Sequence, residues 1–300
     1  MQPPARAGVL RRTLGLAWIV PALVLVAVFV YLPLVQNLEF STLKWDIYSG
    51  EQEYVGLANY TKLAEDPVFW SSLGNNALYA VISIAFQVFG ALLLAAVIES
   101  VRSRRWQRAL RAIYFIPSAI SLTVAGLLFY FLYEPNLGPL NHALRAAGLG
   151  HLAQAWLGQE STAMSAIIAM SQWQGFGYST LLFAVAIQRI PSEIYGAAAL
   201  DGVGAVRRFF SVTVPLVREM TGLMTIVTIS GAFQVFNEVM VMTAGGPNNS
   251  TQVLGTWLYR SGFVRNNFGY AAAIATVLFV ITLAIAVAQM WVTRRRRVEW

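Results

Sequence analysis

The residues of this chain that could do chemistry sit inside long apolar stretches. Asn75, Asn76, Tyr79 and Gln87 fall in one, Gln172, Trp173 and Gln174 in another, and Gln234, Asn237 and Glu238 in a third. Polar side chains in such surroundings are expensive to bury and tend to face a cavity or a partner helix. Amides and carboxylates hydrogen-bond hydroxyl groups, and an indole offers a flat face to an apolar ring surface. Gln172 beside Trp173, and Gln234, Asn237 and Glu238 at i, i+3, i+4 spacing, therefore suit a polyhydroxylated solute. The same groups can instead hydrogen-bond between helices, as Asn and Gln in membrane helices often do. Each of them carries both readings, and Glu238, near the end of its stretch, can also simply meet water.

Other chemistries find little support. The chain has no cysteine, which excludes disulfides, thiolate catalysis and cysteine-ligated metal. His142 and His151 share one polar connection and are assigned no metal. A phosphate-cradling P-loop needs a Gly-Lys pair, and Lys44 and Lys62, the only lysines, follow Leu43 and Thr61. No nucleophile–base set falls within the apolar stretches, so the chain reads as a non-enzyme. The centres of those stretches are nearly free of charge, which argues against a proton- or sodium-coupled carrier.

The elements that must position these groups follow from composition. Of 300 residues, 57% are hydrophobic and 12% charged, about half the charge of an ordinary soluble domain. Six stretches reach the ~20 apolar residues that cross a bilayer, at 14–38, 73–98, 109–133, 162–188, 220–243 and 269–292. The reading is an all-α integral membrane protein, a single domain over 1–300, with its core at 73–292 and an extra N-terminal helix at 14–38. With the N-terminus inside, the inner connections hold 16 arginines and the outer ones 5 basic residues, so both termini are cytoplasmic. The formal charge of +7 is broken into short clusters, unlike the continuous face of a nucleic-acid binder. The first stretch follows Arg11 and Arg12 like a signal peptide, but it is too long and no cleavage site follows. Pro21 and Pro33 within it predict bends.

The inner connection between the fourth and fifth stretches is unusual. It runs QRIPSEIYGAAALDGVGAVRRFFSVTVPLVRE. Ile190 to Glu193 reads as a helix start, and Ile194 to Leu200 as a short alanine-rich helix. Asp201-Gly202 breaks it, Val206 to Val212 resumes, and Pro215 closes the segment. Such an elbow, over 190–217, offers a small-residue face to a partner protein's groove. The competing reading is an amphipathic helix lying on lipid, anchored by Arg207, Arg208, Phe209 and Phe210.

This segment resembles the coupling motif of binding-protein-dependent ABC permeases: Glu-Ala-Ala, three residues, Gly, then Phe and a Leu-Pro-like close. Ala197, Ala198, Asp201, Gly202, Phe209 and Pro215 fall on it. The leading glutamate is Gly196 here, with Glu193 one turn earlier. The resemblance continues through YVGLANYTKLAEDPVFW (Tyr54 to Trp70), RAIYFIPSAIS (Arg111 to Ser121), VMTAGGPNNST (Val241 to Thr251) and FGYAAAIAT, in the order found in sugar permeases of the maltose and glycerol-3-phosphate group. It implies a six-helix type I importer permease with a cytoplasmic coupling elbow, in the bacterial cytoplasmic (inner) membrane. It also implies a second permease subunit, making a heterodimer, an ABC ATPase dimer on the cytoplasmic side, and an extracellular or periplasmic solute-binding protein. ATP and Mg then belong to the ATPase, with no cofactor on this chain. The cargo implied is a sugar or sugar-like polyol, glycerol-phosphate compounds included; phosphate or polyamine import stays open.

Overall fold

The computed structural model describes residues 18–46 and 48–294. Arg6, Arg11, Arg12 and Arg295 to Arg297, and the first four residues of the 14–38 span, lie outside them. The chain divides into two compact units, one comprising the residues through Glu65 with Leu258–Val277, the other Asp66–Trp257 with the residues from Leu278.

In the first unit, helix α1 (Val20–Phe40) is 21 residues long and has no buried residue. Asn37, near its end, donates to the Ala272 carbonyl (3.2 Å) and to Thr276 Oγ1 (3.0 Å). A short antiparallel hairpin follows, β1 (Leu43–Trp45) against β2 (Gln52–Tyr54), with Leu43 opposite Tyr54. The all-helical expectation did not include it. Its turn is closed by Asp46, whose carboxylate accepts the Tyr48 and Ser49 amides. Asn59, on helix α2 (Ala58–Glu65), fastens the hairpin by donating to the Ser41 and Leu43 carbonyls, both at 2.9 Å.

The second unit is built on α3 (Pro67–Ser100), capped by Asp66, whose carboxylate accepts the Val68 amide. Helix α4 (Arg104–Ala119) meets α5 (Leu122–Leu132) at 90°. The expected third span is therefore sharply bent. Its polar neighbours explain the break: Gln174 Nε2 donates to the Ile120 carbonyl (3.1 Å), and Ser121 caps α5. After α6 (Pro139–Ala146) comes α7 (Glu160–Gln188), whose 29 residues extend about 44 Å, ample for a crossing. It is less apolar than α1, α3 or the last helix because Ser171, Gln172, Gln174, Ser179 and Thr180 interrupt it.

Helices α8 (Ser192–Leu200) and α9 (Ala205–Leu216) form the elbow, and α9 meets α10 (Arg218–Phe233) at 73°. Pro215 does not close the segment, since α9 continues to Leu216; the chain turns at Val217. The expected fifth span is likewise not one helix. It stops at Phe233 and resumes as α11 (Asn237–Met242), so the i, i+3, i+4 spacing of Gln234, Asn237 and Glu238 does not hold. Helix α12 (Leu254–Tyr259) and the long α13 (Phe268–Arg294) complete the chain. Of these helices, three are long and apolar enough to cross a membrane, or up to five if each bent pair is one span.

The core of the second unit is apolar and fine-grained. Val88, Ala91, Leu92 and Ala95 of α3 pack on Phe183, Ala184 and Ile187 of α7 and on Val217 and Met224. Alanines at the crossing let the backbones approach, which matters where lipid removes the hydrophobic drive between helices. Gly177 shows how close: a Cβ there would collide with the Tyr114 carbonyl of α4.

Candidate functional site

The elbow is shaped by local sequence. Alanine and glutamate favour α8, and its end is a Schellman motif: Val203 N–H donates to the Ala198 carbonyl (3.0 Å), and Gly202 N–H to that of Ala199 (3.1 Å). Gly202 takes φ +70°, where a side chain would be strained. Ile194 and Tyr195 are half-buried and Ala198 is buried, and Tyr195 Oη lies 3.1 Å from Thr213 Oγ1. The opposite face carries Glu193, Gly196, Ala197 and Leu200, all exposed. Of the coupling residues named from sequence, Glu193, Gly196, Ala197, Asp201 and Gly202 are thus outward, and Ala198 is turned inward. Leu200 was not among them, although it is 91% exposed. A large aliphatic residue one turn beyond Gly196 and Ala197, on the same face and just before Asp-Gly, was the available signal.

At the root of the elbow, Arg111 grips Glu99 with three hydrogen bonds of 3.0, 2.6 and 2.7 Å, and Gln188 Nε2 adds a fourth contact at 3.3 Å. The pair is largely shielded, with side chains 23% and 11% exposed. It ties α3, α4 and α7 together where the elbow leaves α7.

The polar residues of the spans fall into two groups. Asn75 and Asn76 are consumed by structure. Asn75 donates to the Ser250 and Gln252 carbonyls, both at 2.8 Å. Asn76, fully buried, donates to the Ala232 carbonyl (2.7 Å) and accepts the Leu254 amide (2.9 Å). Between them they secure the break after α10 and the loop before α12. Tyr79 donates to Glu238 Oε1 at 2.8 Å, and both are buried. That bond holds the start of α11 against α3.

In the second group, Gln172 and Trp173 line a cavity of about 570 Å³ together with Phe86, Ile113, Tyr114 and Phe176 among others. Gln87 donates to Gln172 Oε1, and Gln172 to Ser83 Oγ, each at 3.0 Å. Trp173 is 41% exposed, its ring 5.1 Å from that of Phe129. Gln234 and Asn237 are exposed at the break in the fifth span. Beside the cavity, the Ser118 hydroxyl donates to the Gln174 carbonyl (2.6 Å) and accepts from the Tyr178 amide (3.0 Å), the two groups that one regular turn of α7 would join.

Residues 90–298 match the family described as binding-protein-dependent transport system inner membrane component. The chain belongs to that family. It is similar to the "Probable ABC transporter permease protein YurN" of Bacillus subtilis, at 50% identity over 91% of this chain and 93% of the relative. It is also similar to the diacetylchitobiose uptake system permease protein NgcF of Streptomyces coelicolor, at 33% identity over 98% and 88%. Among solved structures, a bacterial alginate ABC transporter, in complex with an alginate pentasaccharide-bound periplasmic protein, superposes with a TM-score of 0.85. That match is 21% identical and covers 97% of both chains, so the fold is shared.

As a member of this family, the chain is an inner-membrane permease subunit of an ABC importer that works with a binding protein.

Proposed function

We propose that this permease forms half of the translocation pathway for a sugar or sugar-like polyol, glycerol-phosphate compounds included, driven by a separate ATPase through the elbow. The observation that carries this is the outward face of α8. Glu193, Gly196, Ala197 and Leu200 stand exposed beside the turn at Asp201-Gly202, where Ala and Gly let a partner's backbone approach and Leu200 supplies an apolar knob. ATP and Mg bind and react on the ATPase dimer. A second permease subunit supplies the other half of the pathway, and the solute arrives on an external binding protein. The whole chain acts as one permease domain, with α1 as an accessory helix.

The cargo class is supported by the cavity and by the relatives. An aromatic box of Phe86, Tyr114, Trp173 and Phe176 suits the apolar face of a pyranose ring, and about 570 Å³ is an ordinary ligand volume. The diacetylchitobiose permease and the alginate transporter named above handle saccharides.

The test is a photo-crosslinking amino acid at Asp201 in the complete transporter, in native membranes. The expected adduct is an ATP-binding subunit identified by mass spectrometry. Adducts with lipid alone would overturn the coupling role.

A further inference from the structure

Behind the elbow lies a second cavity of about 490 Å³, walled by the last turns of α3 and by α9. Its sides are Leu93, Val97, Val206, Phe209 and Phe210, with Tyr195 at the back. Leu93, Val97, Val206 and Phe210 are each more than half exposed, so the cavity opens along a broad apolar mouth. Leu93 and Val97 stand four residues apart on α3, about 6 Å at 1.5 Å per residue, and the cavity follows the helix for about 10 Å, from Leu93 to its end at Ser100.

One end of this cavity is charged. Arg208 lines it, its guanidinium 5.9 Å from the Tyr195 ring, with Arg207 beside it in sequence. Among the described residues neither arginine has a carboxylate partner. The acid that lines the cavity, Glu99, is already bound by Arg111. The net offer is a greasy slot in the wall of a membrane helix with spare positive charge at its polar end.

We infer that this cavity seats one acyl chain of an anionic phospholipid of the cytoplasmic leaflet, with the headgroup phosphate at Arg208. This rests on the elbow being cytoplasmic. A soluble metabolite would leave the apolar mouth wet, and a zwitterionic lipid, whose own ammonium offsets its phosphate, would gain less from Arg208. Because the slot is bounded by both α3 and α9, the lipid acts as packing between the elbow and the span, and its presence stiffens the elbow.

The test uses the complete transporter in phosphatidylcholine vesicles doped with a phosphatidylglycerol carrying a photoreactive diazirine in one acyl chain. Adducts are mapped by mass spectrometry. The expected result is labelling of both 93–100 and 205–213. Arg208→Gln should reduce it about five-fold, the ~1 kcal/mol that one basic side chain gains at an anionic surface. Val97→Trp fills the exposed mouth and should abolish labelling at 205–213 without touching the arginine. Equal labelling by the matching phosphatidylcholine probe, or undiminished labelling in Arg208→Gln, would overturn the site. Absent labelling in a transporter whose Asp201 still crosslinks to the ATPase would overturn it too, leaving the coupling role standing.

Discussion

Truncating Leu200 to alanine separates the proposed docking role of the elbow from its folding. At 91% exposure the side chain contributes almost nothing to the packing of this chain, so Leu200→Ala should change stability by less than about 0.5 kcal/mol. Nearly all of its apolar area is available to a partner instead. Full burial of a leucine yields roughly 1.5–3 kcal/mol, and removing all but the Cβ forfeits about 2 kcal/mol of that. The ATPase should therefore bind the variant about thirty-fold more weakly. The assay is titration of the isolated ATPase against the permease pair in lipid nanodiscs, with thermal unfolding followed in parallel. An unchanged affinity at unchanged melting temperature would refute the outward face of α8 as the contact. A large drop in melting temperature would refute the premise that the side chain is idle within the chain.

Four other outcomes follow from named contacts. Gly196→Glu meets no atom within 4 Å of its new Cβ and restores the family's acidic position, so it should fold normally and tighten ATPase binding, read in the same titration. Gly177→Ala, by contrast, drives a methyl into the Tyr114 carbonyl and should lower the melting temperature and loosen α4 from α7, visible as faster amide exchange in both. Glu99→Gln leaves Arg111 shielded without its anion and should cost about 3 kcal/mol in unfolding experiments, more than Lys44→Gln at the exposed Lys44–Glu53 pair, which should cost almost nothing. Glu134, held below the ordinary carboxylate value of 4.5 chiefly by the Leu137 amide, stabilises its turn at any pH above that value. That contribution should fade as pH falls through the lowered folded value, and Glu134→Gln should flatten this acid limb of the pH–stability curve.

Much of the architecture was legible because bilayer thickness imposes length and composition together. The long apolar runs over α1, α3 and α13 could hardly be anything but spans. The breaks were not legible for a reason equally physical. Around Ile120 and after Phe233 the stretches stay apolar enough on average to read as single spans while the backbone turns, and the turn is fixed by side chains far along the chain: Gln174 on the Ile120 carbonyl, Asn76 on that of Ala232. Hydropathy reports what surrounds a residue, not which distant amide takes its carbonyl. The polarity of Asn75 and Asn76 admitted both a pathway and an interhelical reading, and only the fold shows that the Ser250, Gln252 and Ala232 carbonyls take their amides, while Gln172 and Trp173 line the cavity. The elbow was the easiest element to read, because Asp-Gly after an alanine run is a local signal. Which of its faces looks outward needed α9, and so Leu200 escaped.

Ser118 places a hydroxyl between two backbone groups of α7, one residue past the Gln172–Trp173 pair. A rod whose internal rungs are shared with a neighbour can flex there by trading one bond for another, with no rung left empty at any moment. Ser118 thus turns a rigid 29-residue strut into two stiff segments with an easy joint beside the cavity lined by Gln172 and Trp173, so that a tilt at the base of α7 need not reach its top.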